Sequence, residues 1–296
     1  MSRFLSLAFF LIAVPLAAQP SAPDTLEAAD GWVRALGLQF AGSQAQYTNW
    51  QEGGVNALAV SASSEGVFYR VSGSIRQAHE VQFNLGAIKQ DTLSARKADD
   101  IARYAVGLEL VTGGPLRPSL GASAKTQFLP GFDYTPDDGE YPDLPVEDDG
   151  TVQVSAAFAP LFLTQSVGAI YDPGGGFTSR VGLGLKETIV SIERLRPLFG
   201  NDLDQPVRVE AGLDAELRFR RDIVENVTLT SRLSAFQAFN QIGAEEPDIL
   251  FENRLRMRVN DVLNVTLDGA VLFDRDLSDD LQLRQSLAVG VAFSLI

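Results

Sequence analysis

The sequence predicts an all-β fold: a transmembrane antiparallel up-and-down β-barrel of about 12 strands, of the outer-membrane type. Three observations lead to this prediction. One long segment alternates strictly between apolar and polar residues, the same alternation recurs along most of the chain, and the connecting segments are short and long in turn.

The clearest alternation runs from Val207 to Arg220, which reads VRVEAGLDAELRFR. Its odd-numbered positions are all apolar, and its even-numbered positions are polar apart from Gly212. A period of two is the pattern of a β-strand with two unlike faces. Strands of soluble sandwiches are usually about five or six residues long, and this segment is more than twice that length. In a membrane barrel the apolar face contacts lipid and the polar face lines the lumen.

Further segments repeat this period, and arginines recur on their polar faces. They are Asn56 to Ser64, Val67 to Ile75, Val81 to Ala87, Ala102 to Leu110, Leu116 to Phe128, Val181 to Lys186, Val227 to Ala235, Ile249 to Val259, Leu263 to Phe273 and Leu281 to Leu295. The region from Thr151 to Tyr171 is expected to supply one more strand, or two. Pro160 interrupts it, and proline cannot donate to a central ladder.

The connections fit a barrel whose periplasmic turns are short and whose extracellular loops are longer. Counted back from a periplasmic C-terminus, the predicted inner turns are Asn260-Asp261, Arg221 to Glu225, Asp172 to Gly176, Thr112 to Pro115 and Gln77 to Glu80. The predicted outer loops are Arg275 to Asp280, Ile242 to Pro247, Glu193 to Pro206, Leu129 to Gly150 and Asp91 to Asp99. The short link at Ser64 to Gly66 falls outside and is the exception.

Three regions are predicted along the chain. Residues 1–18 read as a signal peptide, with one positive charge, a short apolar run and small residues at its end. Residues 19–53 are expected to be an N-terminal periplasmic segment or lumen plug, with one short strand near Leu36 to Ala41. Residues 54–296 are assigned to the barrel. The predicted location is therefore the outer membrane of a Gram-negative-type bacterium.

Composition narrows the function. The chain has 24 Lys and Arg against 38 Asp and Glu, a net charge of −14, which disfavours nucleic acid as a partner. It has no cysteine, so thiolate chemistry and disulfides are excluded. No cofactor and no metal site are predicted. The expected partners are outer-membrane lipid, the barrel-insertion machinery, and small solutes or ions.

Two features were weighed as chemical sites and interpreted as structural. His79 is the only histidine, and it lies in a predicted short periplasmic turn, where a solvated side chain is favoured over a general base. The loop Leu129 to Gly150 carries eight acids and no basic residue. A solvated acidic loop is favoured over a calcium site, because the spacing is not that of an EF-hand.

The polar face of the strands carries the most informative chemistry. Its charged residues are predicted to line the lumen as an ion-pair wall or a selectivity surface. They are Arg208, Glu210, Asp214, Glu216, Arg218, Arg232, Glu252, Arg254, Arg256, Arg258, Asp268 and Arg284. In a barrel of this size they either fill the lumen or border a narrow aqueous pore.

Two motifs resemble a known family. Asn49-Trp50-Gln51-Glu52-Gly53-Gly54-Val55-Asn56 is similar to the NWxxGGxN turn of domain-of-unknown-function family 3078, with Asn49, Trp50, Gly53, Gly54 and Asn56 matching. Lys125 to Tyr134, which reads KTQFLPGFDY, is similar to that family's KTQFAPGYDY segment. The resemblance implies a Bacteroidetes-type outer-membrane β protein, with no established activity.

The functional hypothesis is a non-enzymatic outer-membrane barrel. It is either a narrow channel for solutes or a structural component of the envelope. An outer-membrane lipid-handling enzyme and a soluble periplasmic β-protein are the alternatives that the sequence leaves open.

Overall fold

The computed structural model describes residues 31–46, 55–239, 246–278 and 280–294. In these residues, 14 strands and one 3-10 helix, Glu193–Phe199, are found. The strands are β1 Trp32–Ala45, β2 Ala57–Ser72, β3 Ile75–Gln90, β4 Arg96–Leu110, β5 Leu116–Thr126, β6 Gly131–Asp133, β7 Val152–Ser155, β8 Leu161–Gly174, β9 Phe177–Ile189, β10 Val207–Val224, β11 Val227–Ala238, β12 Asp248–Arg258, β13 Leu263–Phe273 and β14 Gln282–Ser294.

Twelve of these strands form one closed antiparallel barrel, which confirms the predicted fold class. Around the barrel the order is β1-β2-β3-β4-β5-β8-β9-β10-β11-β12-β13-β14, and β14 pairs with β1. Each barrel strand therefore neighbours the barrel strand that follows it along the chain. The short strands β6 and β7 pair only with each other, in the connection between β5 and β8.

The wall of the barrel is apolar outside and polar inside. On β10 the outer side chains Val209 and Leu213 are 48% and 41% exposed, whereas the inner side chains Arg208 and Glu210 are 5% and 3% exposed. Within the described barrel strands, the only buried apolar residues are Ala102 and Phe236. A soluble protein buries its apolar face, so this inverted arrangement fits a barrel surrounded by lipid.

The first barrel strand differs from the prediction. Residues 32–45 were expected to belong to a periplasmic segment or lumen plug, but they form β1, a full strand of the wall between β14 and β2. The predicted boundary at residue 54 is therefore wrong for this strand. The sequence pattern shows only the central part of β1, because Arg34, Gly42 and Gln44 take outer positions toward its ends, where apolar residues are expected.

The two segments predicted on either side of Ser64 to Gly66 form one strand, β2, without a turn. Its pairing with β3 runs unbroken from Ala57↔Gln90 to Ser72↔Ile75. The apolar phase changes within β2, and the prediction of a turn was an incorrect interpretation of that change. Since Val67 pairs with Glu80, which forms an ion pair across the lumen with Arg218, Val67 points inward. The strand count stays at twelve because β1 replaces the strand lost here.

The region from Thr151 to Tyr171 supplies one barrel strand, β8, and one short strand, β7, that is not part of the barrel wall. β7 lies outside the barrel, and Pro160 immediately precedes β8, where no ladder hydrogen bond is interrupted. This resolves the alternative that the sequence left open.

The two ends of the barrel differ in the length of their connections, as predicted. At one end, turns as short as Gly73-Ser74, Gly175-Gly176 and Glu225-Asn226 join the strands, and Asn226 takes a positive φ of 63°. At the other end lie the long connections 127–160 and 190–206. The turn predicted at Gln77 to Glu80 is wrong, because these residues lie within β3.

The long-loop end carries a small apolar core of its own. Ala156, Ala159, Val190 and Leu195 are buried there, and Leu144, Ile192, Leu198 and Phe199 pack against them. Gln127 ties the loop to β4, because its Oε1 accepts a hydrogen bond of 2.9 Å from Lys97 Nζ. The connections after β5 and β9 therefore form one ordered cap rather than separate loops.

Within the described residues, the strand pair that closes the barrel is shorter than the others. There β1 pairs with β14 from Gly37↔Ser294 to Ala41↔Gly290, whereas its pairing with β2 runs from Trp32↔Arg70 to Ala45↔Ala57. On the long-loop side of Gly290, β14 continues to Gln282, and its described pairs there are with β13.

Several predicted features lie outside the described residues. These are the signal peptide, the leader up to residue 30, and Asn49, Trp50, Gly53 and Gly54 of the first family-like motif. No helix within the described ranges is long and apolar enough to cross a bilayer.

Close strand packing at Gly168 gives a testable prediction. A Cβ at this position would lie 2.1 Å from the carbonyl oxygen of Val181 and 2.5 Å from Gly182 Cα. Gly168→Ala is therefore expected to lower the free energy of unfolding by about 1–3 kcal/mol. Urea unfolding in detergent, followed by tryptophan fluorescence, measures the change.

Gly107→Ala is the matched control. Its Cβ would meet no atom closer than Leu120 O at 4.0 Å. Equal stabilities of the two variants would contradict the close packing of β8 on β9.

Candidate functional site

The inner face of the barrel is a network of ion pairs. All twelve residues predicted to line the lumen lie on inward positions of β10 to β14, and eleven of them take part in ion pairs. The twelfth, Arg258, lies at the short-turn end of β12, where its Nη2 donates to Asn226 Oδ1 at 2.7 Å. The charged side chains on the inner face of β10 to β14 therefore have partners within the barrel.

Glu216 is the centre of the ion pairs on β10 and β11. Its Oε1 lies 2.5 Å from Arg218 Nε, and its Oε2 lies 2.5 Å from Arg232 Nη2. Only 8% of its side chain is exposed. A carboxylate buried to this degree needs such partners, since an isolated buried charge is very costly.

One ion pair joins opposite walls of the lumen. Arg103 on β4 lies 3.4 Å from Glu252 on β12. These two strands are six positions apart in either direction around the twelve-stranded ring. Arg232 also reaches Glu252, at 4.0 Å. Side chains from three strands therefore meet across the lumen.

Other ion pairs span shorter arcs of the wall. Arg218 on β10 pairs with Glu80 on β3, and Glu65 on β2 pairs with both Arg254 and Arg256 on β12. Near the long-loop end, Arg284 on β14 lies 3.6 Å from Asp99. Ion pairs therefore cross the lumen at several heights along the described strands.

A second charged cluster lies at the long-loop end. Lys186 binds Asp248 at 2.5 Å and Glu210 at 3.4 Å, and Arg208 binds Asp276 at 2.5 Å. Carboxylate oxygens of Asp248, Asp274 and Asp276 lie within 4.8 Å of one another.

Asp274 is the least favourably placed of these acids. It is 7% exposed. Burial raises the pKa of Asp274 to about 6; the charges of Asp248 and Asp276 also raise it, and Lys186 opposes the change.

The sequence analysis missed several partners of the charged residues. Glu65 and Glu80 were assigned to turns, and no role was given to Arg103. Arg180 and Lys186 lie on the neighbouring strand β9, where Arg180 binds Asp214 at 2.5 Å. A correct phase for β2 would have placed Glu65 inside, but no sequence pattern indicates which strands lie opposite each other.

His79 lies within β3 on the outer face of the barrel, not in a turn. Its Nδ1 is 2.7 Å from Tyr104 Oη, and its Nε2 is 2.6 Å from Gln77 Nε2. The ring of Trp32 lies 5.9 Å from the histidine ring. Both ring nitrogens therefore have partners, and the histidine ring lies beside Trp32 and Tyr104, an aromatic grouping that is typical of a membrane–water interface.

The acidic loop does not gather its carboxylates. Asp133 accepts hydrogen bonds from the Thr135 amide and the Tyr141 hydroxyl, and Glu140 accepts one from the Asp137 amide. Within the fully described loop 129–150, no three carboxylates come close enough to share an ion. Burial and the bond to Asp133 raise the pKa of Tyr141.

The segment Lys125 to Tyr134 connects the barrel to the cap. Thr126 Oγ1 donates to Pro160 O at 2.8 Å, and Gln127 Nε2 donates to the carbonyl oxygens of Ala156 and Ala159. The backbone amide of Lys97 donates to Tyr134 Oη at 3.3 Å. This family-like motif therefore has a structural role at the long-loop end.

The pKa of Asp274 gives a second prediction. The pKa of Asp274 is higher in the folded than in the unfolded protein, so the folded protein favours the protonated carboxyl. The resulting contribution to the free energy of unfolding is fully present below about pH 4 and is lost as pH rises through about 6. Asp274→Asn is expected to be more stable than the wild type by about 2–3 kcal/mol at pH 8, and about equally stable at pH 4. Urea unfolding at the two pH values measures this difference.

Asp261→Asn, in an exposed turn, is the control and should change little at either pH. A stability difference for Asp274→Asn that does not depend on pH would contradict the raised pKa.

Comparisons with solved structures find other barrels at low identity. The translocator domain of the autotransporter NalP from Neisseria meningitidis is 12% identical, with a TM-score of 0.35, over 89% of this chain and 88% of that one. The NanC porin is 9% identical, with a TM-score of 0.39, over 88% of this chain and 100% of that one. The Pseudomonas putida toluene transporter TodX is 11% identical, with a TM-score of 0.31, over 90% and 89%. Values this low carry no argument about function.

No curated protein matches the chain. The family described as "Protein of unknown function (DUF3078)" does match, over residues 43–132. This range includes both family-like motifs except the last two residues of the second, and it confirms the resemblance seen in the sequence.

Proposed function

We propose that the protein is a non-enzymatic barrel of the outer membrane, providing a narrow passage for small solutes or ions that is held shut by ion pairs across its lumen. Its partners in this role are outer-membrane lipid and the machinery that inserts barrels. In this arrangement the short turns face the periplasm and the cap faces outward.

The outer surface supports a membrane location. Each barrel strand presents large apolar side chains outward, and many are well exposed, such as Leu120 at 55%, Leu183 at 60% and Leu287 at 68%. A contiguous apolar surface of this extent is not stable in water. This argues against the alternative of a soluble periplasmic protein.

The ion pair between Arg103 and Glu252 carries the proposal for function. It crosses the full width of the lumen, yet both side chains keep contact with open space, at 16% and 25% exposure. A buried ion pair rarely stabilises a protein more than apolar packing would. These two charged side chains occupy the middle of the lumen with partial access to water, which suits a passage that opens when they separate.

The surroundings of His79 support a non-enzymatic role. A serine hydrolase needs its histidine to hydrogen-bond the nucleophile and an orienting carboxylate. The ring nitrogens of His79 instead contact Gln77 and Tyr104, on the lipid-facing side. Lipid hydrolysis by the purified protein that persists in His79→Ala would favour the enzyme alternative.

Membrane location is tested by fractionation. The protein is expected in the outer-membrane fraction, and unboiled samples should migrate differently from boiled ones in a denaturing gel, because a closed barrel resists detergent. Recovery in the soluble fraction without detergent would contradict a membrane barrel.

The closing role of the ion pair is tested in planar lipid bilayers. The wild type is expected to show little or no conductance at neutral pH. Glu252→Gln removes the negative charge that Arg103 and Arg232 share, so it should raise mean conductance about tenfold or more. A tenfold rise corresponds to a closed state that is less favoured over the open state by about 1.4 kcal/mol.

Glu246→Gln is the matched control. It breaks the ion pair with Arg275 at 3.0 Å, which lies outside the strands and is well exposed, and it should leave conductance unchanged. If both variants remain silent while folding normally, the structural envelope role is favoured instead.

A further inference from the structure

A cavity of about 390 Å³ lies between the lumen and the cap. Its walls include Lys125 and Phe162 from the barrel, Leu198 and Phe199 from the 3-10 helix, and Leu277 from the connection between β13 and β14. Its volume is within the range of small-molecule sites, about 300–1,000 Å³. About half of its lining residues are apolar, and the others are polar or charged.

Lys125 is the exception among the cations of this part of the lumen. Arg103, Arg232 and Arg284 each have a carboxylate within 4.0 Å. In the described part of the chain, Lys125 Nζ has no such carboxylate. Its nearest recorded partner is the ring of Phe162, at 5.9 Å, which is at the limit of a cation–π contact.

Around Lys125, positive charges outnumber negative ones. It pairs in register with Arg103 on β4, and Arg103 shares Glu252 with Arg232. The acids nearby are therefore already occupied by guanidinium groups. Placing a lysine in this position without a counter-charge is costly, so an anion entering the cavity would gain the attraction that the protein leaves unused.

The other polar groups of the cavity are compatible with an anion. Gln282 Nε2 is buried and has no hydrogen-bond partner, so a donor is available. Asp100 is a carboxylate in the lining, but it already accepts hydrogen bonds from the amides of Phe128 and Leu129 at 2.6 to 3.1 Å. Lys97 Nζ also lies 3.6 Å from its Oδ2, so the negative charge of Asp100 already has partners.

We propose that this cavity is a binding site for a small amphipathic carboxylate. The carboxylate contacts Lys125 and Gln282, and its apolar part packs against Phe162, Leu198, Phe199 and Leu277. This site goes beyond the proposed passage and does not rest on it, since binding can occur whether or not the lumen conducts.

The test uses the full barrel in nanodiscs of zwitterionic lipid, with titration calorimetry and protein-free nanodiscs as the blank. Octanoate supplies charge and chain, octanamide supplies the chain alone, and acetate supplies the charge alone. Octanoate is expected to bind at least tenfold more tightly than either of the other two. This comparison needs only the wild-type protein.

Variants of Lys125 locate the site. Lys125→Gln is expected to weaken octanoate binding at least tenfold, and Lys125→Arg to retain most of it. Lys89→Gln, which removes an exposed lysine at the end of β3, is the control and should bind as the wild type does.

Three results would overturn the proposal: no octanoate binding to the wild type, equal binding of octanoate and octanamide, or unchanged affinity in Lys125→Gln. If Lys125→Gln does not insert as a barrel, the comparison of ligands on the wild type decides. A protein that conducts but binds no octanoate would refute this binding site and leave the proposed passage supported. A protein that binds octanoate but does not conduct would support the binding site and refute the passage.

Discussion

The pairing of charges inside the barrel is the constraint on which the rest of the structure depends. The wall places its apolar side chains toward lipid, so the residues that a soluble protein would pack in its core are unavailable for the interior. What remains inside is charged, and a charge removed from bulk water must be matched. Glu216, with an arginine on each carboxylate oxygen, shows how closely this requirement is met.

The same constraint makes opposite walls depend on each other. Arg103 and Glu252 are remote in sequence and lie on facing strands, so neither is satisfied until the barrel has closed. Ladder hydrogen bonds connect only neighbouring strands, whereas these side chains connect strands across the ring. The network therefore stabilises the closed twelve-stranded ring relative to an open sheet. It also occupies the space through which a solute would travel.

Alternation in sequence was sufficient to predict the fold class and the number of strands, because a period of two directly reports a wall with two environments. It failed at β1, where Arg34, Gly42 and Gln44 take outer positions, and at β2, where Val67, Tyr69 and Val71 are apolar yet face inward. The failure at β2 shows that residues near the short-turn end of a lumen need not be polar. The cross-lumen partners could not be predicted, since Glu65 and Glu80 meet their arginines only through the closure of the ring.

The short described pairing between β1 and β14 determines where the wall of the barrel separates most easily. Among the described residues, five pairs join β1 to β14, whereas fourteen join β1 to β2. Backbone N–H and C=O groups without partners in hydrocarbon each cost several kcal/mol, so the wall opens most easily where the described ladder is shortest. Exchange of amide hydrogens with water is therefore expected to be faster along the β1–β14 ladder than along the β1–β2 ladder.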